Sequence, residues 1–354
     1  MKHISFAVFC LLGAGGVSAQ ELAPSFTQFF AQSQEALQAM LESPADEGAL
    51  PAVDVLVSDA DPRNVSLTQA GLNAVNFVSS NADLNAVVQE FSGRQAIDNR
   101  ISSSSIKADV LYSVDQAGAN YANMLRGQTI NLADQEMTAE AEQIVSNRLA
   151  AGGSFSDIVQ SGTNVVNIAM ADHAIGTAEQ VIDEGAVQRV INQIELDAGA
   201  TVSGQIEQNG VNFGNVMVAE RVDDVTRLFA GDQIVENTVI LNGSTVPRIS
   251  QTGSNIANYF AASSIGTVRQ LSIGEQRVTN RVLGPDGEYF SHPNIVQTEL
   301  NYQGASNVVN LMVLRNNQSA NQQPVLVEQT AEFEQSASGT SGQSQTGNVI
   351  VISR

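Results

Sequence analysis

The pattern Gln-x-Gly-x-Asn-x-x-Asn recurs at intervals of about 45 residues and restricts the folds open to this chain more than any other feature. It appears at Gln69-Gly71-Asn73-Asn76, Gln116-Gly118-Asn120-Asn123, Gln160-Gly162-Asn164-Asn167, Gln208-Gly210-Asn212-Asn215 and Gln251-Gly253-Asn255-Asn258. A degenerate sixth copy reads Gln303-Ala305-Asn307-Asn310. Self-similarity at a fixed period implies one structural unit stacked on copies of itself.

Two companions travel with this element. Gln-x-aliphatic-x-Asn-x-aliphatic recurs as Gln95-Ile97-Asn99-Ile101, Gln143-Val145-Asn147-Leu149, Gln188-Val190-Asn192-Ile194, Gln233-Val235-Asn237-Val239 and Gln276-Val278-Asn280-Val282. Between the two lies a third run, Leu84-Val87-Gln89-Phe91, with counterparts that carry Gln135, Gln180, Arg227 and Gln270 at the place of Gln89. Each run alternates with period two, so Gln, the Gly or aliphatic residue, and Asn share one face of an extended strand. The runs are bounded by Gly, Asn, Ser and Asp, which predicts three short strands per unit separated by turns.

These features predict an all-β fold, a β-solenoid of five to six repeats over residues 64–334, with rungs about 4.8 Å apart. Stacked rungs would bring Gln69, Gln116, Gln160, Gln208 and Gln251 into one column, and Asn73, Asn120, Asn164, Asn212 and Asn255 into another. The second sheet would add the columns Gln95, Gln143, Gln188, Gln233, Gln276 and Asn99, Asn147, Asn192, Asn237, Asn280. Side-chain amides so aligned can hydrogen-bond along the axis as a structural ladder. The competing reading is that they are solvated surface residues. The Gly at the centre of the first run would admit close backbone approach or a bend. A helical repeat is disfavoured, because a Gly and paired Asn in every unit would cost helix stability each time.

The ends differ in texture. Residues 1–19 combine a basic start, an apolar stretch and Val17-Ser18-Ala19, which reads as a cleavable Sec signal. Cys10, the sole cysteine, lies inside it. Cleavage would leave 15 cations against 37 acids, a net charge of −22 that argues against nucleic acid as a partner. In residues 20–63, Phe26, Phe29, Phe30, Leu37, Met40 and Leu41 have helical spacing, predicting a short N-terminal helix, followed by a lead-in strand over Ala52–Ser58. Residues 335–348, rich in Ser, Gly, Gln and Thr, read as a flexible linker, and 349–354 as a C-terminal strand that caps its own solenoid or joins another chain.

The segments Gln69-Ala70-Gly71-Leu72-Asn73-Ala74 and Gln251-Thr252-Gly253-Ser254-Asn255-Ile256-Ala257, with Gln89 and Gln270 as closing glutamines, resemble the curlin repeat of curli amyloid subunits. The unit here is about twice as long as a curlin repeat, and its Asn falls one position early. Among relatives the chain looks like the holdfast anchor proteins of stalked alphaproteobacteria, in particular the holdfast anchor protein D family. That resemblance covers residues 64–330. It implies an exported, non-catalytic protein at the outer membrane that uses a curli-type secretion pore. It also implies assembly with like or related β-solenoid subunits and tethering of a surface polysaccharide. A self-polymerising functional amyloid subunit is one alternative.

A solenoid carbohydrate-active enzyme is the other, and it would need paired acids at a groove. Asp183-Glu184 and Asp223-Asp224 are adjacent in sequence, and neighbours on a strand point to opposite faces. His173 and His292 lie in unrelated contexts, and the Asp59–Asn64 stretch lacks the Gly and bidentate Glu of a calcium loop. The expectation is therefore no enzyme activity, no cofactor and no metal site.

Overall fold

A computed structural model describes residues 55–57, 64–107, 109–244, 246–284, 300–315, 321–322, 328–335 and 340–353. The described residues form an all-β solenoid. In chain order its strands are β1 (Val55–Val57), β2 (Asn64–Ser79), β3 (Val87–Phe91), β4 (Arg94–Ser102), β5 (Leu111–Met137) and β6 (Glu142–Ala151). They continue as β7 (Ser154–Ile182), β8 (Val187–Leu196), β9 (Thr201–Val202), β10 (Gln205–Phe229), β11 (Asp232–Leu241) and β12 (Arg248–Ser272). The last are β13 (Glu275–Leu283), β14 (Leu300–Arg315), β15 (Asn321–Gln322), β16 (Glu328–Gln335) and β17 (Thr340–Ser353).

Two parallel sheets run the length of the stack. One follows the order β1-β2-β5-β7-β10-β12-β14-β17, and the other β16-β13-β11-β8-β6-β4. Each central coil of about 45 residues therefore supplies one long strand to the first sheet and one short strand to the second. Register is held residue for residue: Gln208, Gly210 and Asn212 pair with Gln160, Gly162 and Asn164 on one side and with Gln251, Gly253 and Asn255 on the other.

The sequence predicts three short strands per coil, whereas the first and third runs lie on one strand of 25 to 29 residues in β5, β7, β10 and β12. Such a length would not stay flat. In β5 and β7 it bends at the second Asn of the repeat, since Asn123 and Asn167, like Asn76 in β2, sit at φ of 52°, 53° and 54°. Asn tolerates this left-handed conformation better than other non-Gly residues, so it turns the chain without interrupting the ladder of strands.

Gly has a different task. A Cβ at Gly71, Gly118, Gly162, Gly210 or Gly253 would come closer than 3 Å to a γ carbon of Ile97, Val145, Val190, Val235 or Val278. These five aliphatics form their own buried column on the second sheet, so Gly sets the close approach of the two sheets. Flanking clusters complete the interior. Val114, Ile158, Ile206 and Ile249 pack with Leu149, Ile194 and Val239, while Ile130, Ile175 and Val222 fill the bend of the long strand.

At the start of the stack, β1 pairs antiparallel with β2 over Val65–Leu67. The expected signal peptide and N-terminal helix lie outside the described residues. At the other end the reading of 335–348 as a linker is corrected for residues 340–348, which belong to β17. This strand stacks in parallel on β14 and extends the solenoid to Ser353, beyond the expected limit at 334. Parallel stacking is made by backbone groups, which a Ser- and Gly-rich sequence supplies as well as any other.

Candidate functional site

The repeated carboxamides form continuous hydrogen-bonded columns. In the first, Gln116, Gln160, Gln208 and Gln251 each donate from Nε2 to Oε1 of the Gln one coil earlier, at 2.7 to 2.8 Å, and the first acceptor is Gln69. In the second, Asn73, Asn120, Asn164 and Asn212 donate from Nδ2 to Oδ1 of the Asn one coil later, ending on Asn255, at 2.8 to 2.9 Å. The second sheet repeats both arrangements. Gln276, Gln233, Gln188 and Gln143 donate back as far as Gln95. Asn99, Asn147, Asn192 and Asn237 donate forward as far as Asn280. All twenty sequence-predicted residues are thus brought together as four columns.

Each NH2 group has two protons, and the second goes across the sandwich. Asn120 and Asn164 reach the carbonyls of Ile144 and Arg189 at 3.0 Å. Gln143 and Gln188 reach those of Val165 and Phe213 at 3.1 and 2.9 Å. One carboxamide therefore links its coil to the next and one sheet to the other. Gln116, Asn120, Gln160, Asn164, Gln208 and Asn212 are completely buried. Burial of a polar group is tolerable only with its partners present, and here both protons have them.

Two further columns were absent from the predicted ladder set although their residues recur in the same repeats. The corner residues Asn76, Asn123, Asn167 and Asn215 donate in turn to the next Asn, ending on Asn258, at 2.8 to 2.9 Å. In the third run Gln135 donates to Gln89 and Gln180 donates to Gln135, at 2.7 and 2.8 Å. Recurrence alone was the signal that could have found them.

The third-run column is broken at its fourth position by Arg227. This side chain is wholly buried, and its Nη2 donates to the Asn215 carbonyl, the same kind of in-coil bond that Gln180 makes to Asn167. Its Nε and Nη1, and Oε1 of Gln180 in the coil before, have no hydrogen-bond partner among the described residues. Burial pushes the guanidinium well below its ordinary pKa, and no carboxylate offsets this.

Apart from Arg227, the charged residues described here lie on the outer faces. On the second sheet they pair off: Arg94 with Glu142 at 3.1 Å, Arg100 with Asp98 at 2.6 Å, and Arg189 with Glu236 at 2.6 Å. Acids collect instead on the far arm of the first sheet. There Glu136 has its carboxyl pushed up by partial burial and by Asp183, Glu90 and Asp134. Asp223 is held by Arg221 at 2.7 Å, and His173 stands 3.9 Å from Glu220, both on exposed surface. Comparison with known proteins finds no matching family model, no matching curated protein and no matching solved structure.

Proposed function

We propose that this protein is an exported structural component of the cell surface, an adhesin or anchor that tethers a holdfast-like polysaccharide matrix to the outer membrane. It would leave the cell by the Sec route and a curli-type pore and assemble with like or related β-solenoid subunits. The observation that carries the reading is the use of the repeated polar residues: every Gln and Asn of the four predicted columns is spent on joining coils and sheets. A stack so built suits a rigid rod whose working surfaces are its outer faces, loops and ends. The acid-rich arm around Glu90, Asp134, Glu136 and Asp183 suits attraction to cationic sugars or to matrix bridged by divalent ions.

The deciding experiment compares a deletion strain with its parent for retention of the adhesive matrix on the cell, with surface labelling of the protein in the parent. Loss of matrix retention with normal matrix production is the expected result. A protein confined to the cytoplasm, or unchanged retention, would overturn the proposal.

A further inference from the structure

The amide columns have direction, and this makes the two ends of the solenoid chemically different. Gln columns donate toward the N-terminal end, and Asn columns donate toward the C-terminal end. The first coil carries the complete ladder set. It therefore presents outward N–H groups in its Gln columns and outward oxygens in its Asn columns.

The oxygens Oδ1 of Asn73, Asn76 and Asn99 are the starts of their columns, because each of these residues donates forward and no earlier coil among the described residues donates to it. Gln69 and Gln95 each give one Nε2 bond to a carbonyl, of Arg100 and Tyr121. In later coils the same nitrogen also reaches the preceding Gln. The apolar columns end just as openly. Leu72, Phe77 and Val78 are only partly buried, whereas Met124 and Leu125, one coil on, are fully buried. Strand β1 covers only Val65–Leu67, and β4 is the terminal strand of the second sheet.

The C-terminal end breaks the pattern. Asn280 is in register with Phe333, Gln303 with Ser341 and Asn307 with Gln345. The sixth coil thus loses the Asn of the second sheet, and the seventh, entered by β17, loses the Gln and one Asn of the first. A second copy of this chain offers only half of the six columns there, at Gln322, Gln329 and Asn348.

We propose that the N-terminal coil face, residues 69–79, 87–91 and 94–102, is a docking end for the last coil of a different Gln/Asn-ladder solenoid, while this chain's own C-terminal coil stops the ladder. The partner is defined by its chemistry: a parallel β coil whose free face presents Gln oxygens and Asn N–H groups at the same spacing. Docking continues, between chains, the interface already repeated between coils within this one. The protein then ends or starts a filament of related subunits, and does not polymerise alone. This deepens the assembly part of the proposed role and rests on it. Association in solution tests the end face, and matrix retention on cells tests anchoring, so either can fail without the other.

The test uses the full chain and one designed partner. Phe333→Asn in β16 and Ser341→Gln with Gln345→Asn in β17 restore the missing columns of the partner, and a copy of residues 82–102 placed after Ser353 completes its last coil across both sheets. Gln69→Glu and Gln95→Glu place carboxylates against acceptors at its other end and block its own N-terminal face. Sedimentation velocity is expected to show each protein alone as a monomer and the mixture as a 1:1 complex. Gln69→Glu with Gln95→Glu in the otherwise wild-type chain should weaken that complex by more than about tenfold, since they set unpaired charge against an acceptor. Circular dichroism confirms that each variant keeps its β fold. Polymers of the wild-type chain alone, no complex with a folded partner, or a complex indifferent to the two Glu substitutions would each overturn the inference. Coverage of the face by residues 20–54 would appear as absence of the complex, which counts against it equally.

Discussion

Replacing Arg227 with Gln should stabilise the protein, although it removes a large buried side chain. The position belongs to a column of carboxamides, with Gln180 in register one coil before and Gln270 one coil after. A Gln there can donate to Oε1 of Gln180, which has no partner now, and keep the in-coil bond to the Asn215 carbonyl. Satisfying a buried orphan acceptor regains about 1–3 kcal/mol, and removing a guanidinium with no counter-charge adds to this. Against it stand one lost methylene, about 0.8 kcal/mol, and the space left behind. The net expectation is a gain of about 2–3 kcal/mol, or a rise in Tm of roughly 3–4 °C for a chain of this size.

Thermal unfolding followed by circular dichroism reads this directly. Arg227→Met separates the causes, because it removes the charge without supplying a donor and should gain less than Gln. The pH dependence gives an independent check. The guanidinium pKa is lower folded than unfolded, so in the alkaline range between the two values the unfolded chain holds more protons and stability rises with pH. The buried phenol of Tyr259 is pushed up by desolvation and gives the opposite slope, but it is common to both proteins and cancels in the difference. Arg227→Gln no more stable than wild type, or no difference in alkaline slope, would refute the argument.

Gly162→Ala should cost about 1–3 kcal/mol in thermal unfolding, because its Cβ meets Val190, and Val190→Ala in the same chain should recover part of the loss. Additive losses would show that the two positions do not share one space. Asn167→Gly keeps the left-handed corner but loses the links to Asn123, Asn215 and the Val181 carbonyl, for a cost of about 2 kcal/mol, and Asn167→Ala adds backbone strain and should cost more. Equal stability of the two variants would mean that the positive φ carries no cost. Lowering the pH from neutral toward the carboxylate range should raise Tm: the Glu136 carboxyl has a higher pKa folded than unfolded, so the folded state binds protons first as pH falls. Glu136→Gln should reduce that rise, and an unchanged profile would contradict the assignment.

Much of this fold was legible because stacking repeats each physical requirement several times. The Gln-Gly-Asn run and the Gln-Val-Asn run alternate with period two, and the structure pairs them column by column. The corner was harder to see. Asn73 and Asn76 are three apart, an odd step that a straight strand cannot take while keeping both side chains on one face. In the first three coils a left-handed Asn supplies the missing turn, so two expected strands are one bent strand. Arg227 was visible as a departure from its column, but its burial depends on coils on both sides and could not be read from one repeat. The sixth coil shows the same logic in reverse. There Ala305 falls in the Gly column and Ala331 in the Val column, and the two positions change together as positions sharing one space should. Residues 340–348 read as linker because their composition lacks an apolar face, although a strand stacked on an existing edge needs only its backbone to join it. A repeat protein therefore announces its columns through recurrence, while its ends, where recurrence fails, must be read from register. In this chain the complete first coil and the degraded last one set the direction in which a ladder can be extended.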